Sequence, residues 1–237
     1  MATQIDLTAL DGAGSFTGYL ATPGADASSA TQAGIVVIQE IFGVNAGIRA
    51  VADSWAAQGY TALAPDLFWR LQPGVELDAD VPAEAERAFA LYKQFNVDNA
   101  VADIEAAIKA LRAHGCSTVG VVGYCLGGLL AYLSATRTDS DASVSYYGAG
   151  IDARLGEAAA IGKPLLMHIA GRDHFVTEAA RAAITAGLTP NRHVTLHTYD
   201  ADHAFARHSG SARAPLPAAQ ADARTQAFFA EHLKPRA

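Results

Sequence analysis

The run Thr118-Val119-Gly120-Val121-Val122-Gly123-Tyr124-Cys125-Leu126-Gly127-Gly128 joins a short apolar, β-branched segment to a glycine-flanked turn and the start of a helix. It reads as Gly-x-nucleophile-x-Gly, with Cys125 at the point where a strand feeds directly into a helix. The turn is so sharp that its central residue takes a strained backbone. Glycines two before and two after it remove side chains that would collide. The helix N-terminus beneath Cys125 carries a partial positive charge that favours a thiolate. The backbone N–H of Leu126 lies where an oxyanion would need a donor. The competing reading is a structural cysteine in a glycine-rich turn; the strand before it and the helix after it favour a nucleophile.

On either side of this run the chain alternates strand and helix. Phe16–Ala21 reads as an early strand hairpinned to Gln4–Thr8, and Gly34–Gln39 as a strand buried on both faces. Asn45–Gln58 is a helix ended by Gly59, and Tyr60–Ala64 a strand stopped by Pro65. Pro82–Gln94 is a helix, and Asn96 caps the next, whose apolar positions Val97, Val101, Ile104, Ile108 and Leu111 step by four and three. Strands follow at Thr118–Val122, Val144–Tyr147, Leu165–Ile169 and Val194–Tyr199, with helices at Gly127–Ala135, Thr177–Ala186 and Pro217–Leu233. Segments 24–33 and 70–82 read as loops, the second with a Pro73-Gly74 turn. This alternation predicts an α/β fold with a mostly parallel sheet covered on both faces, in one domain over 1–237. Sites in such sheets lie at the C-terminal ends of the strands.

Composition narrows the function class. The 237 residues carry 17 Lys+Arg against 24 Asp+Glu, a net charge of −7, with no basic cluster, which argues against nucleic acid and anionic membranes as partners. A hydrophobic fraction of 51% excludes a disordered chain. No apolar run reaches membrane-spanning length, and the first residues lack the features of a signal peptide. With two cysteines, Cys116 and Cys125, no disulfide framework is expected, and the reading is a cytoplasmic protein with reduced thiols.

A cysteine nucleophile needs a base and a group to orient it, in the chain order nucleophile, acid, histidine. Strand Leu165–Ile169 runs into Ala170-Gly171-Arg172-Asp173, and strand Val194–Tyr199 into Asp200-Ala201-Asp202-His203. His203 is the candidate base and Asp173 its orienter. His208, in the same loop as His203, is a rival, as are Asp200 and Asp202 for Asp173. His114 and His232 sit at helix C-termini, where a cation suits the dipole. His193 and His197 have metal-like spacing, but four residues along a strand span about 13 Å, so no metal site is expected. Cys116 is expected to serve packing.

These segments, with Gln39-Glu40-Ile41-Phe42-Gly43-Val44-Asn45, Pro65-Asp66-Leu67, Tyr146-Tyr147-Gly148, Gly171-Arg172-Asp173-His174-Phe175-Val176 and His203-Ala204-Phe205-Ala206-Arg207, resemble the dienelactone hydrolases (carboxymethylenebutenolidases) across nearly the whole chain. The resemblance implies an α/β-hydrolase fold and cofactor-free opening of a carboxylated enol lactone, of the dienelactone-to-maleylacetate type. It implies a Cys125-His203-Asp173 triad working through a thioester. Ile41 N–H joins Leu126 N–H in the oxyanion hole, and Glu40 takes the thiol proton when a substrate carboxylate draws Arg207 away from it. The partner is then a small anionic lactone or ester, and the protein a monomer or small homo-oligomer. Phe42 and Phe89 are expected to line the pocket, and Tyr146 to offer it a hydroxyl or else pack in the core. Three positions depart from the family's pattern. A second carboxylate-binding arginine is replaced by Ala85, with Arg70 or Arg87 as possible substitutes, a tyrosine by Phe89, and a serine after the histidine by Ala204. An esterase on other small esters and a non-catalytic ligand-binding relative are the alternative readings. A redox-sensing thiol is disfavoured because Cys116 lies at the opposite end of a strand from Cys125.

Overall fold

The computed structural model describes residues 1–24, 32–208 and 210–234. The loop expected at 24–33 therefore lies largely outside the described residues. Among those described, strands β1 (Ala2–Thr8), β2 (Ser15–Ala21), β3 (Ala33–Ile38), β4 (Thr61–Pro65), β5 (Thr118–Tyr124), β6 (Ala142–Tyr146), β7 (Leu165–Ala170) and β8 (Val194–Tyr199) form one sheet. Its order is β1-β2-β4-β3-β5-β6-β7-β8. The β1–β2 hairpin and the β2–β4 pair are antiparallel; every pair from β4 through β8 is parallel. Helices α1 (Ala46–Ala57), α2 (Pro82–Tyr92), α3 (Val97–Ala113), α4 (Leu126–Arg137), α5 (Glu178–Leu188) and α6 (Pro215–His232) make the connections and the C-terminal cover.

Side-chain alternation along the central strands divides the core in two. In β3, Val36 and Ile38 join one cluster with Ile104, Ile108 and Leu130, while Ile35 and Val37 join the other with Trp55 and Phe229. All of β3 and β5 is buried, as their continuous apolar runs predict. Trp55 of α1 meets Phe229 of α6 edge to face at 5.4 Å, which ties the end of the chain to its first helix.

Most helix boundaries follow local chemistry. Asn45, Asn96 and Thr177 each accept a backbone N–H bond from the third residue beyond, capping α1, α3 and α5. Pro82 and Pro215 open α2 and α6 where a missing N–H costs nothing. Asn96→Ala should lower stability by about 1 kcal/mol, or roughly 2–4 °C in Tm for a chain of this size. Thermal unfolding followed by circular dichroism checks this, and kcat/KM should not change.

Two differences from the sequence reading bear on the site. Strand β5 continues to Tyr124, because Gly123 and Tyr124 pair with Ser145 and Tyr146 of β6. A 3₁₀ segment at Asp152–Ala160, between β6 and β7, has no fully buried residue, so no core-facing run marks it in the sequence.

Candidate active site

Cys125 is the N-cap of α4, with φ 55° and ψ −112°, a conformation a non-glycine residue rarely takes. The surroundings enforce it. A Cβ on Gly123 would lie 1.9 Å from the Gly127 carbonyl oxygen, and one on Gly127 would lie 2.6 Å from that of Ile38. The Cys125 N–H donates to the Tyr146 carbonyl at 3.1 Å, so β6 holds the turn from the side. Cys125 is partly exposed and lines a cavity of about 410 Å³ together with Ile41, Leu126, His203 and Arg207.

His203 and Asp173 arrive from the loops after β8 and β7. His203 Nδ1 lies 2.7 Å from Asp173 Oδ2, and both side chains are buried. The other carboxylate oxygen, Oδ1, accepts the backbone N–H groups of Phe175 (2.8 Å) and Val176 (3.2 Å), which fixes the carboxylate before the imidazole meets it. With its Nδ1 committed to Asp173, the imidazole has only Nε2 left to act as base, and Nε2 is buried with no hydrogen-bond partner among the described residues. Burial disfavours the charged ring. The Asp173 hydrogen bond, the adjoining Cys125 and the Asp173 charge outweigh it and raise the His203 pKa to about 10. Phe175 and Tyr147 pack edge to face on the ring at 4.8 and 5.1 Å. Ala204, directly after the histidine, has φ 63°, so this loop is strained as well.

Glu40, just past β3, is 4% exposed. Arg207 grips it with two bonds, Nε to Oε2 at 2.7 Å and Nη2 to Oε1 at 3.2 Å, and lies over the Phe42 ring at 5.1 Å. Of the two candidate histidines, His203 meets Asp173. His208 instead lines a small crevice beside Glu40, Tyr124 and Arg207, where burial lowers its pKa. Asp200 and Asp202 pair with Arg172 at the surface.

Phe42, Phe89 and Ala85 line the cavity, as the sequence suggests. Tyr146 does not, which corrects its reading as a substrate contact. Alternation along β6 places it with Val144 on the α6 side of the sheet, where its hydroxyl bonds Thr225 Oγ1 at 2.6 Å and Asp222 at 3.2 Å. Asp222 also accepts Arg213 Nη2, and Arg213 Nη1 donates to the carbonyls of Ala206 and Arg207. Tyr146 thus belongs to a network that supports the Arg207 loop from behind. Arg70 does not stand in for a second arginine: it is bound to Asp103 at 2.7 Å and Asp11 at 2.8 Å and lies over the Trp69 ring. Arg87 is exposed and lies off the cavity lining.

Two residues escaped the sequence reading. Tyr147, beside His203, has φ 39° and a buried hydroxyl with no partner among the described residues. Phe175 lines the cavity two positions after Asp173. The Tyr-Tyr-Gly and Asp-His-Phe segments contain both, but which ring turns inward depends on where β6 ends and how the loop after β7 folds.

Comparison with known proteins identifies the family and the fold. The dienelactone hydrolase family profile matches residues 16–233. A protein of Azospirillum brasilense, provisionally named carboxymethylenebutenolidase, is 45% identical over 238 residues, covering 98% of this chain and 99% of its own. Carboxymethylenebutenolidase 1 of Cupriavidus pinatubonensis is 38% identical over 232 residues, 97% of each chain. Among solved structures, a Klebsiella pneumoniae protein superposes with a TM-score of 0.81 at 23% identity, covering 98% of this chain and 99% of its own. A lidless α/β serine hydrolase of Xanthomonas campestris does so at 0.68 and 16%, covering 100% and 96%. These two speak for the fold.

Proposed function

The chain belongs to the dienelactone hydrolase family, and on that premise we propose that it opens a carboxylated enol lactone through a thioester formed on Cys125. It is a hydrolase of ester or lactone bonds, and its relatives named carboxymethylenebutenolidase support the lactone as substrate. The observation that carries the finer reading is the Glu40–Arg207 pair at the edge of the cysteine cavity.

In the resting enzyme Arg207 holds Glu40, and Cys125 is a thiol. A substrate carboxylate competes for the guanidinium and frees Glu40 to take the thiol proton. The thiolate then turns toward His203, whose Nε2 has no hydrogen-bond partner among the described residues. Attack on the lactone carbonyl forms the S–C bond, and the oxyanion is met by the N–H groups of Leu126 and Ile41. As the tetrahedral species collapses, the ring C–O bond breaks and an enolate leaves. The enolate takes the Nε2 proton of His203 and becomes a ketone, which makes reclosure unfavourable. His203, now neutral, takes a proton from water as the water attacks the thioester and the C–S bond breaks; Asp173 keeps the imidazole in the required tautomer, and the released thiolate recovers its proton from Glu40. No cofactor enters this scheme.

Arg207→Ala tests the carboxylate step. A hydrogen bond to a charged group is worth about 1.5–3 kcal/mol, or roughly ten- to a hundredfold in kcat/KM if realised in the transition state. The loss should fall on a carboxylated lactone and largely spare its methyl ester. Equal losses on acid and ester would reduce Arg207 to a structural role and remove the gating step.

A further inference from the structure

Among the described residues, the large hydrophobic side chains left exposed include three aromatics, Phe89, Tyr92 and Phe175, at 40%, 40% and 49% exposure, and all three line the cavity over Cys125. Chance would scatter exposed aromatics singly; their gathering at one mouth marks a binding surface. Phe89 of α2 and Phe175 of the loop after β7 lie with ring centroids 6.2 Å apart, so the two elements present one apolar face. Ala79, Ala85 and Ala149 add small side chains that leave room in front of it. The cavity, at about 410 Å³, falls in the range that accepts drug-sized molecules, so a compact lactone would leave much of it empty.

The position of this face gives its role. Phe175 packs directly on the His203 ring at 4.8 Å. The His203 imidazolium, which the thiolate faces once Glu40 has taken the thiol proton, gives its Nε2 proton to the leaving oxygen, so the leaving group must sit beside it. Arg207, the one Arg or Lys on the described lining, lies over Phe42 rather than on this aromatic face. We infer that the cavity mouth is a subsite for a planar apolar group carried on the leaving-oxygen side of the substrate. Esters of aromatic alcohols whose acyl part bears a carboxylate are then a second substrate class.

The inference rests on Cys125 as nucleophile and His203 as proton donor, as proposed above. On a monobenzyl dicarboxylate, Cys125 Sγ bonds the carbonyl carbon as the C–O bond to the benzyl oxygen breaks. That oxygen takes the proton from His203 and leaves as benzyl alcohol. Water then hydrolyses the thioester, with His203 taking its proton and the thiolate released.

Monobenzyl and monomethyl succinate test this, because benzyl alcohol and methanol are leaving groups of similar basicity. The native enzyme should favour the benzyl ester by about tenfold in kcat/KM, the scale set by filling an apolar pocket. The double variant Phe89→Ala/Tyr92→Ala should bring the ratio close to one, whereas Phe89→Leu should keep most of it. The ratio is insensitive to a variant that folds incompletely, since both esters see the same active fraction. A native ratio near one, or a ratio unchanged in the double variant, overturns the subsite. Running Cys125→Ala on both esters separates the failures. Cysteine-dependent turnover with no benzyl preference sinks the subsite alone, and cysteine-independent turnover sinks the mechanism beneath it.

Discussion

Cys125→Ala should reduce kcat/KM on a carboxylated enol lactone by roughly 10³–10⁶, the range seen when a nucleophile that acts as part of a unit is removed. The loss belongs to the chemical step, because an alanine at this position leaves the cavity walls in place. Alkylation with one equivalent of iodoacetamide should have the same effect on the native enzyme. The internal control is Cys116, which is buried behind Gly34 with a thiol pKa pushed up by burial. Cys116→Ala should keep kcat/KM within about twofold, as substitutions remote from a site generally do. Near-native turnover by Cys125→Ala would refute the thioester route.

Asp173→Asn is the second large effect. The amide preserves shape but can no longer hold Nδ1–H as a carboxylate does, and a wrong imidazole tautomer costs about 10⁴ in kcat in comparable triads. It also removes the strongest influence that lifts the His203 pKa toward 10. The basic limb of the kcat/KM profile should therefore move to lower pH along with the fall in rate. Stability carries the same signature. A histidine raised in the folded state stabilises it fully below the unfolded pKa of about 6.5, and this contribution fades as pH rises through about 10. Native unfolding free energy should thus decline across that interval, and Asp173→Asn should flatten that part of the decline. Urea titrations at several pH values measure this. An unmoved basic limb in the variant would show that Asp173 does not set the state of His203.

Where local sequence forces geometry, the sequence reading is sufficient. Cys125 stands between a β-branched run and a helix, and the carbonyls around Gly123 and Gly127 leave no room for a side chain at either position. Asp173 and His203 follow apolar strands, so their edge of the sheet is evident without knowing their contact. The tyrosines of β6 show where such reading stops. Extending that strand by one residue, to Tyr147, leaves no means of seeing that the chain turns there with φ 39° and swings the second ring toward His203. The role of Arg70 is equally hidden, because its partners Asp103 and Asp11 lie 33 and 59 positions away and only the folded chain brings them together. The aromatic mouth draws on α2 and the loop after β7, elements that no motif connects.

The Glu40–Arg207 pair joins positions 167 residues apart, and this separation governs how the molecule is made. At a ribosomal pace of about 5–20 residues per second, Arg207 emerges on the order of ten to thirty seconds after Glu40. Throughout that interval, a nascent chain that completed the sheet around β3 would have to bury a carboxylate with no counter-ion. Such a charge is costly to isolate, and closing so long a loop costs further entropy. The partly made chain is therefore discouraged from finishing the very edge of the sheet at which its cysteine emerges. Hydrolytic competence comes only with the segment from His203 to Arg207, when one arginine supplies the missing charge.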